Sequence, residues 1–367
     1  RGGAERVAAT LCNAWAREGR EVWLIPTFLG SREIAYPLDE AVHVRFLSQS
    51  FAATGSVVPT SLRKIDSLRQ LFRTARPDVI VSFLPSTNIL AVAATRGLGI
   101  PLVVCERADP AADVDLQPAL RIARLIAYPF ADRVCVQTSQ AAERMRWLLY
   151  ACGKPAIVPN PIPQALASPL MRLEQHSRFG IIIAVGRLSR EKGHDGLLRA
   201  FHLGFRDAPE WKLEIWGEGP QRACLEELVL ELGINDRVKI CGHTTNPWEV
   251  MARAQLFALT SDYEGFPNAM LEAMALGLPA VAYDCNSGPR DLTDGGRVGV
   301  LVPPGDEIAL AHTLRKLADD PGRRNALGTA GADFVAKRFS ESSVISRWDK
   351  VFGDVIARHS KNQPPPC

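Results

Sequence analysis

Apolar positions follow two different spacings along this chain, and the two spacings take turns. Short apolar runs read as strands at Val22–Pro26, Val42–Phe46, Val79–Phe83, Leu102–Cys105 and Arg133–Gln137. Between them, apolar residues three and four apart read as helices over Ser61–Ala75, Asn88–Gly97, Leu116–Phe130 and Ser139–Tyr150. Ahead of the first strand, Val7, Leu11 and Trp15 share one helical face that starts from a glycine turn at Gly2 and Gly3. The stretch "IVPNPIPQALASPLMRLEQHSRFG" then brings Pro159, Pro161, Pro163 and Pro169. Prolines that dense deny both helix and sheet ladders, so the stretch reads as a linker. A second alternation follows, with strands in "IIIAVGRL", "KLEIWGEG", "VKICGH", "LFALTS", "PAVAYD" and "GVLVPP".

Strand–helix alternation of this kind predicts parallel sheets covered on both faces. The chain therefore reads as α/β, with two doubly wound domains over residues 1–160 and 161–340. A helix over 341–358 is expected to pack back on the first domain, and 359–367, ending "NQPPPC", to be disordered. In such folds a glycine turn that opens a helix follows a strand. A first strand of about a dozen residues with its loop is thus expected ahead of Gly2.

Composition changes this picture little. A chain of 367 residues with 47% hydrophobic content suits two cores of ordinary size. The eight cysteines form no CxxC pair and sit mostly among apolar residues, which reads as free thiols in a reducing cytoplasm. No apolar run is long enough to cross a bilayer. Charge is uneven: residues 1–160 carry 19 Lys/Arg against 14 Asp/Glu, a net +5. Much of it lies on the helix at 61–76, where Arg63, Lys64, Arg69, Arg73 and Arg76 surround an apolar stripe. With Arg144 and Arg146 beside Trp147, this is either a solvated face or a surface for anionic lipid, peripheral on the inner face of the plasma membrane. No nucleic-acid partner is expected, and no G-x-G-x-x-G follows a strand, which argues against a dinucleotide oxidoreductase.

Ligands of doubly wound sheets bind where strands end and loops lead into helices. In the second domain those loops carry Gly186, Arg187 and Lys192 ("AVGRLSREKG"), Gly219 ("WGEGP"), and Glu264 and Glu272 ("LTSDYEGFPNAMLEAM"). Glu264 lies on the loop, and Glu272 about one turn inside a helix that opens near Pro267. Unpaired N–H groups at a helix start favour an anion. A diphosphate held there by Arg187 and Lys192 leaves two hydroxyl-rich ends, which carboxylates at two depths can recognise. The acidic "DVD" at 113–115 precedes a helix and reads as structural, and His194 reads as a capping or packing residue.

The set "GGAER", "GRL…KG", "GEGP" and "EGFPNAMLEAMALGLP" resembles the bacterial family 4 glycosyltransferases of GT-B fold, over essentially the whole chain. The resemblance implies two Rossmann-like domains facing a cleft, an acceptor site in the first and a nucleotide sugar, UDP-linked, in the second. It implies transfer of a hexose or N-acetylhexosamine with retention, and no metal or other cofactor. Arg187 and Lys192 would meet the diphosphate, Glu272 the ribose, and Glu264 the donor sugar near the reacting face. Gly2, Gly3, Gly186, Gly219, Gly265, Phe266, Pro267 and Asn268 would border the donor. "SFLPSTN" and "CERADP" are most similar to enzymes that extend polyprenyl-diphosphate-linked oligosaccharides or surface polysaccharides. Many relatives place a histidine on the acceptor side; no histidine here follows Phe83 or Cys105, where Glu106 and Arg107 stand instead. A nucleotide-sugar epimerase or hydrolase, and a non-catalytic nucleotide-sugar sensor, remain as alternatives on the same architecture.

Overall fold

The computed structural model describes residues 3–27, 34, 36–47, 60–107, 117–148, 155–166 and 180–362. The chain divides into two compact units, residues 1–161 with 341–367, and residues 162–340.

The first unit opens with α1 (Gly3–Arg17) and continues through β1 (Val22–Leu24), β2 (Val42–Val44), α2 (Thr60–Ala75), β3 (Ile80–Phe83), α3 (Pro85–Thr95) and β4 (Leu102–Cys105). It then runs through α4 (Pro118–Ala127), β5 (Arg133–Val136), α5 (Ser139–Leu148) and β6 (Ala156–Ile157). β1 pairs with β2, and β3–β4–β5–β6 form a sheet in sequence order; every pairing is parallel. All four β4 residues are buried, as a central strand covered on both faces requires.

Three local expectations are corrected. α3 starts at Pro85 rather than Asn88, because proline fits the first helical turn, where its missing N–H has no partner to lose. The proline-rich stretch, read as a linker, carries the boundary between the two units after Pro161, but its described residues also pair and pack, while 167–179 lie outside the described residues. Ala156 and Ile157 pair with β5 before Pro159 ends the ladder, and Val158, Ile162 and Leu166 are buried. On α2, Arg69 is not a free surface cation: its guanidinium donates to the Ala94 and Arg96 carbonyls at 3.2 and 2.7 Å, at the end of α3.

The second unit holds β7 (Ile181–Val185), α6 (His194–Gly204), β8 (Lys212–Trp216), α7 (Arg222–Glu231), β9 (Val238–Gly242), α8 (Pro247–Ala252) and β10 (Leu256–Leu259). α9 (Asn268–Ala275), β11 (Ala280–Tyr283), α10 (Pro289–Leu292), β12 (Val300–Val302), α11 (Glu307–Asp319) and α12 (Pro321–Phe339) complete it. The six strands are the six apolar runs read from the sequence. They form one parallel sheet in the order β12–β11–β10–β7–β8–β9. Side chains alternate between its faces. Ile182, Leu213 and Leu256 meet Leu197, Phe201 and Leu314 on one side, while Ile181, Ile183 and Phe257 meet Met270, Met274 and Val335 on the other. The doubly wound prediction holds.

The last helix, α13 (Glu341–Asn362), belongs to the first unit. Trp348 meets Trp15 of α1 edge-on, with ring centroids 5.6 Å apart, and Arg17 pairs with Glu341 at 2.7 Å. Residues 359–362, expected to be disordered, continue this helix; the tail from 363 lies outside the described residues.

Candidate active site

Strand order decides where a ligand can sit in the second unit. From β7 the chain winds outward through β8 and β9, then returns to β10 on β7's other side and winds the opposite way. α6 and α9 therefore leave neighbouring strands toward opposite faces, opening a crevice at the carboxyl ends of β7 and β10. The loops after those two strands carry Arg187, Lys192 and Glu264.

The two loops are laced together by main-chain contacts. The Thr260 hydroxyl donates to the Lys192 carbonyl at 3.1 Å, and the Asp262 N–H to the Glu191 carbonyl at 2.9 Å. Gly193, at φ 58°, passes so close that a Cβ would meet the Thr260 carbonyl oxygen at 2.2 Å. Gly219 plays the same part for the next loop, where a Cβ would lie 2.2 Å from the Leu188 oxygen. Its glycine lets "GEGP" brace the loop after β7.

On this frame the Lys192 ammonium donates to Glu264 Oε1 at 2.6 Å, and the Ser261 hydroxyl donates to the same oxygen at 2.7 Å. Glu264 is buried, so the ammonium balances its charge where water cannot. Arg187 is exposed and makes no ion pair or hydrogen bond through its side chain among the described residues. Pro267 caps α9 without a side-chain bond, and the Asn268 N–H at the helix start bonds the Phe266 carbonyl at 2.9 Å. Glu272, one turn further along, is buried and accepts the Trp248 indole N–H at 2.8 Å. Gly186, Gly265, Phe266, Pro267 and Asn268 lie on these same two loops and helix start. Gly3 opens α1 in the first unit, and Gly2 lies outside the described residues.

Trp248 and Ser261 were missed from sequence. Ser261 follows β10 directly, a position that could have been read. Trp248 reaches Glu272 from α8, which no local pattern discloses. His194 is buried at the first turn of α6, and neither ring nitrogen makes a hydrogen bond of ordinary geometry among the described residues. Burial pushes its imidazole down to about 4, although the Arg187 main chain favours the charged form, so the ring is neutral at pH 7. Burial likewise raises the Cys285 thiol to about 12, helped by the charge of Glu264, which leaves it unreactive.

In the first unit, Glu106 and Arg107 follow β4 as read. Glu106 is buried, accepts the Tyr128 hydroxyl and lies 3.7 Å from Arg124. Asn88 joins the cluster by donating to the Tyr128 oxygen at 2.7 Å. Arg107 donates to Asn160 at 2.7 Å with its guanidinium over the Phe83 ring. The "DVD" motif lies outside the described residues.

A family model for glycosyl transferases group 1 matches residues 173–334, and one for the glycosyl transferase 4-like domain matches residues 2–161. The chain is 29% identical over 364 residues to an α-1,4-N-acetyl-D-galactosaminyltransferase of Campylobacter jejuni, named for an undecaprenol-diphosphate-linked substrate; the match covers 96% of each chain. An exopolysaccharide phosphotransferase of Streptomyces coelicolor is 33% identical over 239 residues, spanning 64% of this chain and 24% of that protein. Anabaena HepE in complex with UDP shares the fold, with TM-score 0.79 at 19% identity over 96% of each chain.

Proposed function

The chain belongs to the GT-B glycosyltransferases with a 4-like first half and a group 1 second half, and we propose that it is a retaining enzyme extending a lipid-linked glycan. Its donor is a nucleotide-diphosphate sugar, UDP-linked, carrying a hexose or N-acetylhexosamine. Its acceptor is a glycan on polyprenyl diphosphate. The observation that carries the donor reading is the Lys192–Glu264 pair at the crevice between β7 and β10.

A diphosphate leaving group develops negative charge as the glycosidic bond breaks. Arg187 and Lys192 offer fixed positive charge to it, and the start of α9 the positive end of a helix dipole. Glu272, oriented by Trp248, accepts hydrogen bonds from the ribose. Glu264 accepts one from the donor sugar and faces the positive charge that grows at its anomeric carbon. With those cations in place the leaving group needs no divalent metal. Two of the similar proteins are in line with the acceptor and the nucleotide of this reading: one is named for an undecaprenol diphosphate substrate, and the other holds UDP.

The test is turnover of UDP-sugars with and without a polyprenyl-diphosphate-linked glycan, in EDTA, with NMR of the product. Acceptor-dependent transfer with the donor's anomeric configuration kept is the expected result. Sugar release or epimerisation without acceptor, inversion, or a requirement for added magnesium or manganese would each overturn the corresponding part.

A further inference from the structure

Arg107 is a half-buried cation that the first unit holds without an acid beside it. It follows β4 at the carboxyl edge of the sheet, where doubly wound folds bind ligands. The other three strands of that sheet contribute to its surroundings. Phe83 ends β3, Gln137 follows β5, and Asn160 lies three residues past β6. The guanidinium lies over the Phe83 ring, 4.4 Å from its centroid, and donates one of its five N–H groups to Asn160 Oδ1 at 2.7 Å. Gln137 donates to the same oxygen, also at 2.7 Å. Gln137 and Asn160 are themselves buried, so the arginine is held in place at the sheet edge.

Its charge has no counterpart in the fold. Among the described residues no carboxylate lies within ion-pair distance of Arg107, and its Nε is buried without a hydrogen bond. Glu106, the chain neighbour, serves Tyr128 and Arg124 instead. Burial accordingly pushes the guanidinium below its ordinary pKa, against a smaller opposing effect of the Cys105 and Cys135 thiols. An enclosed cation without a counter-ion costs stability, and arginine is the side chain best shaped to clasp a phosphate or a carboxylate. We propose that Arg107 receives an oxyanion of the acceptor through N–H groups that Asn160 leaves over, either a phosphate of the diphosphate link or a carboxylate of an acidic sugar. The inference rests on the reading of the chain as a transferase to a lipid-linked glycan, and it adds a residue that selects the acceptor. Asp109, Asp113 and Asp115 follow in the sequence and lie outside the described residues, so an internal ion pair with one of them is the competing explanation.

The test is titration calorimetry on the full chain saturated with UDP, with geranyl diphosphate and methyl glucuronide as separate probes. UDP fills the donor crevice first, so a second anion has to bind elsewhere. The parent should bind one of the probes, and which one it binds identifies the source of the oxyanion. Arg107→Gln should bind that probe roughly ten- to a hundredfold more weakly, with UDP affinity unchanged. Arg107→Lys, which keeps the charge without the planar fork, should fall between them. A parent that binds neither probe, or a glutamine variant that binds as tightly as the parent, overturns the proposal. So does a loss of thermal stability shared by Arg107→Gln and one of Asp109→Asn, Asp113→Asn or Asp115→Asn that does not add in the double variant, because the ion pair would then be internal. UDP affinity and turnover on a polyprenyl-diphosphate-linked glycan are read separately, so failure of the transferase reading would show there and not in the effect of Arg107→Gln on the probes.

Discussion

Glu264→Gln is the change that most directly probes the crevice. It keeps the side chain's shape and its bond from Ser261 but removes the charge facing Lys192. The pair spans 2.6 Å, with the lysine side chain 23% and the glutamate side chain 9% exposed, so solvent screens it only partly. A charge-assisted hydrogen bond of this kind contributes about 1.5–3 kcal/mol net. A diphosphate arriving at Lys192 competes with Glu264 for the ammonium. Three N–H groups let the lysine serve both, so only part of that energy is lost when the ligand binds. The glutamine variant is therefore expected to bind free UDP as tightly as the parent, or up to about tenfold more tightly. It should nevertheless turn over slowly, because the carboxylate facing the developing positive charge is gone.

Lys192→Ala separates the two partners. It strands a buried carboxylate with only the Ser261 hydroxyl, so unfolding stability should fall by about 1–3 kcal/mol. UDP affinity should fall roughly ten- to a hundredfold. Titration calorimetry with UDP on the parent, both single variants and the double variant, alongside thermal unfolding, separates these effects. Weaker UDP binding by Glu264→Gln, of the size expected for Lys192→Ala, would refute the division of labour in which lysine meets phosphate and glutamate meets sugar.

The second unit was legible because its strands are buried on both faces. A central parallel strand such as Leu256–Leu259 is apolar throughout, and such runs stand out from helical spacing without any partner known. Two-residue β6 offered no such run, and its neighbouring prolines pointed the other way. Residue types at the site were equally plain, since loops after strands could be found once the strands were. Their contacts were not: Lys192 and Glu264 lie 72 residues apart, and only the placing of β10 beside β7 brings them together. α4 shows the complementary limit. Spacing identifies an apolar stripe but not which way it faces: here Arg124 is buried near Glu106, and Ile122 and Ile126 are exposed.

Two further expectations test particular side chains. Trp248→Phe keeps the packing of α8 but removes the N–H that fixes Glu272, a bond to a charged group of about 1.5–3 kcal/mol, part of which water can replace. UDP affinity should fall about three- to thirtyfold while turnover at saturating donor is kept, and unchanged affinity would remove Trp248 from the site. His194 makes stability depend on pH in a known sense. Its folded imidazole sits at about 4 against an ordinary 6.5, so below 6.5 the unfolded chain takes up the proton first. The neutral buried ring therefore contributes no penalty above pH 6.5, and stability drains away as pH falls from there toward 4. Each tenfold difference in proton affinity between the folded and unfolded chain is worth about 1.4 kcal/mol, so the loss by pH 4 is about 3 kcal/mol. His194→Phe fills the same space without a titrating group and should lack this component. Unfolding free energies of parent and variant measured from about neutral pH down to about 4.5 should diverge on acidification, the parent losing more. Parallel curves would mean that the imidazole is not buried neutral beneath the Arg187 loop.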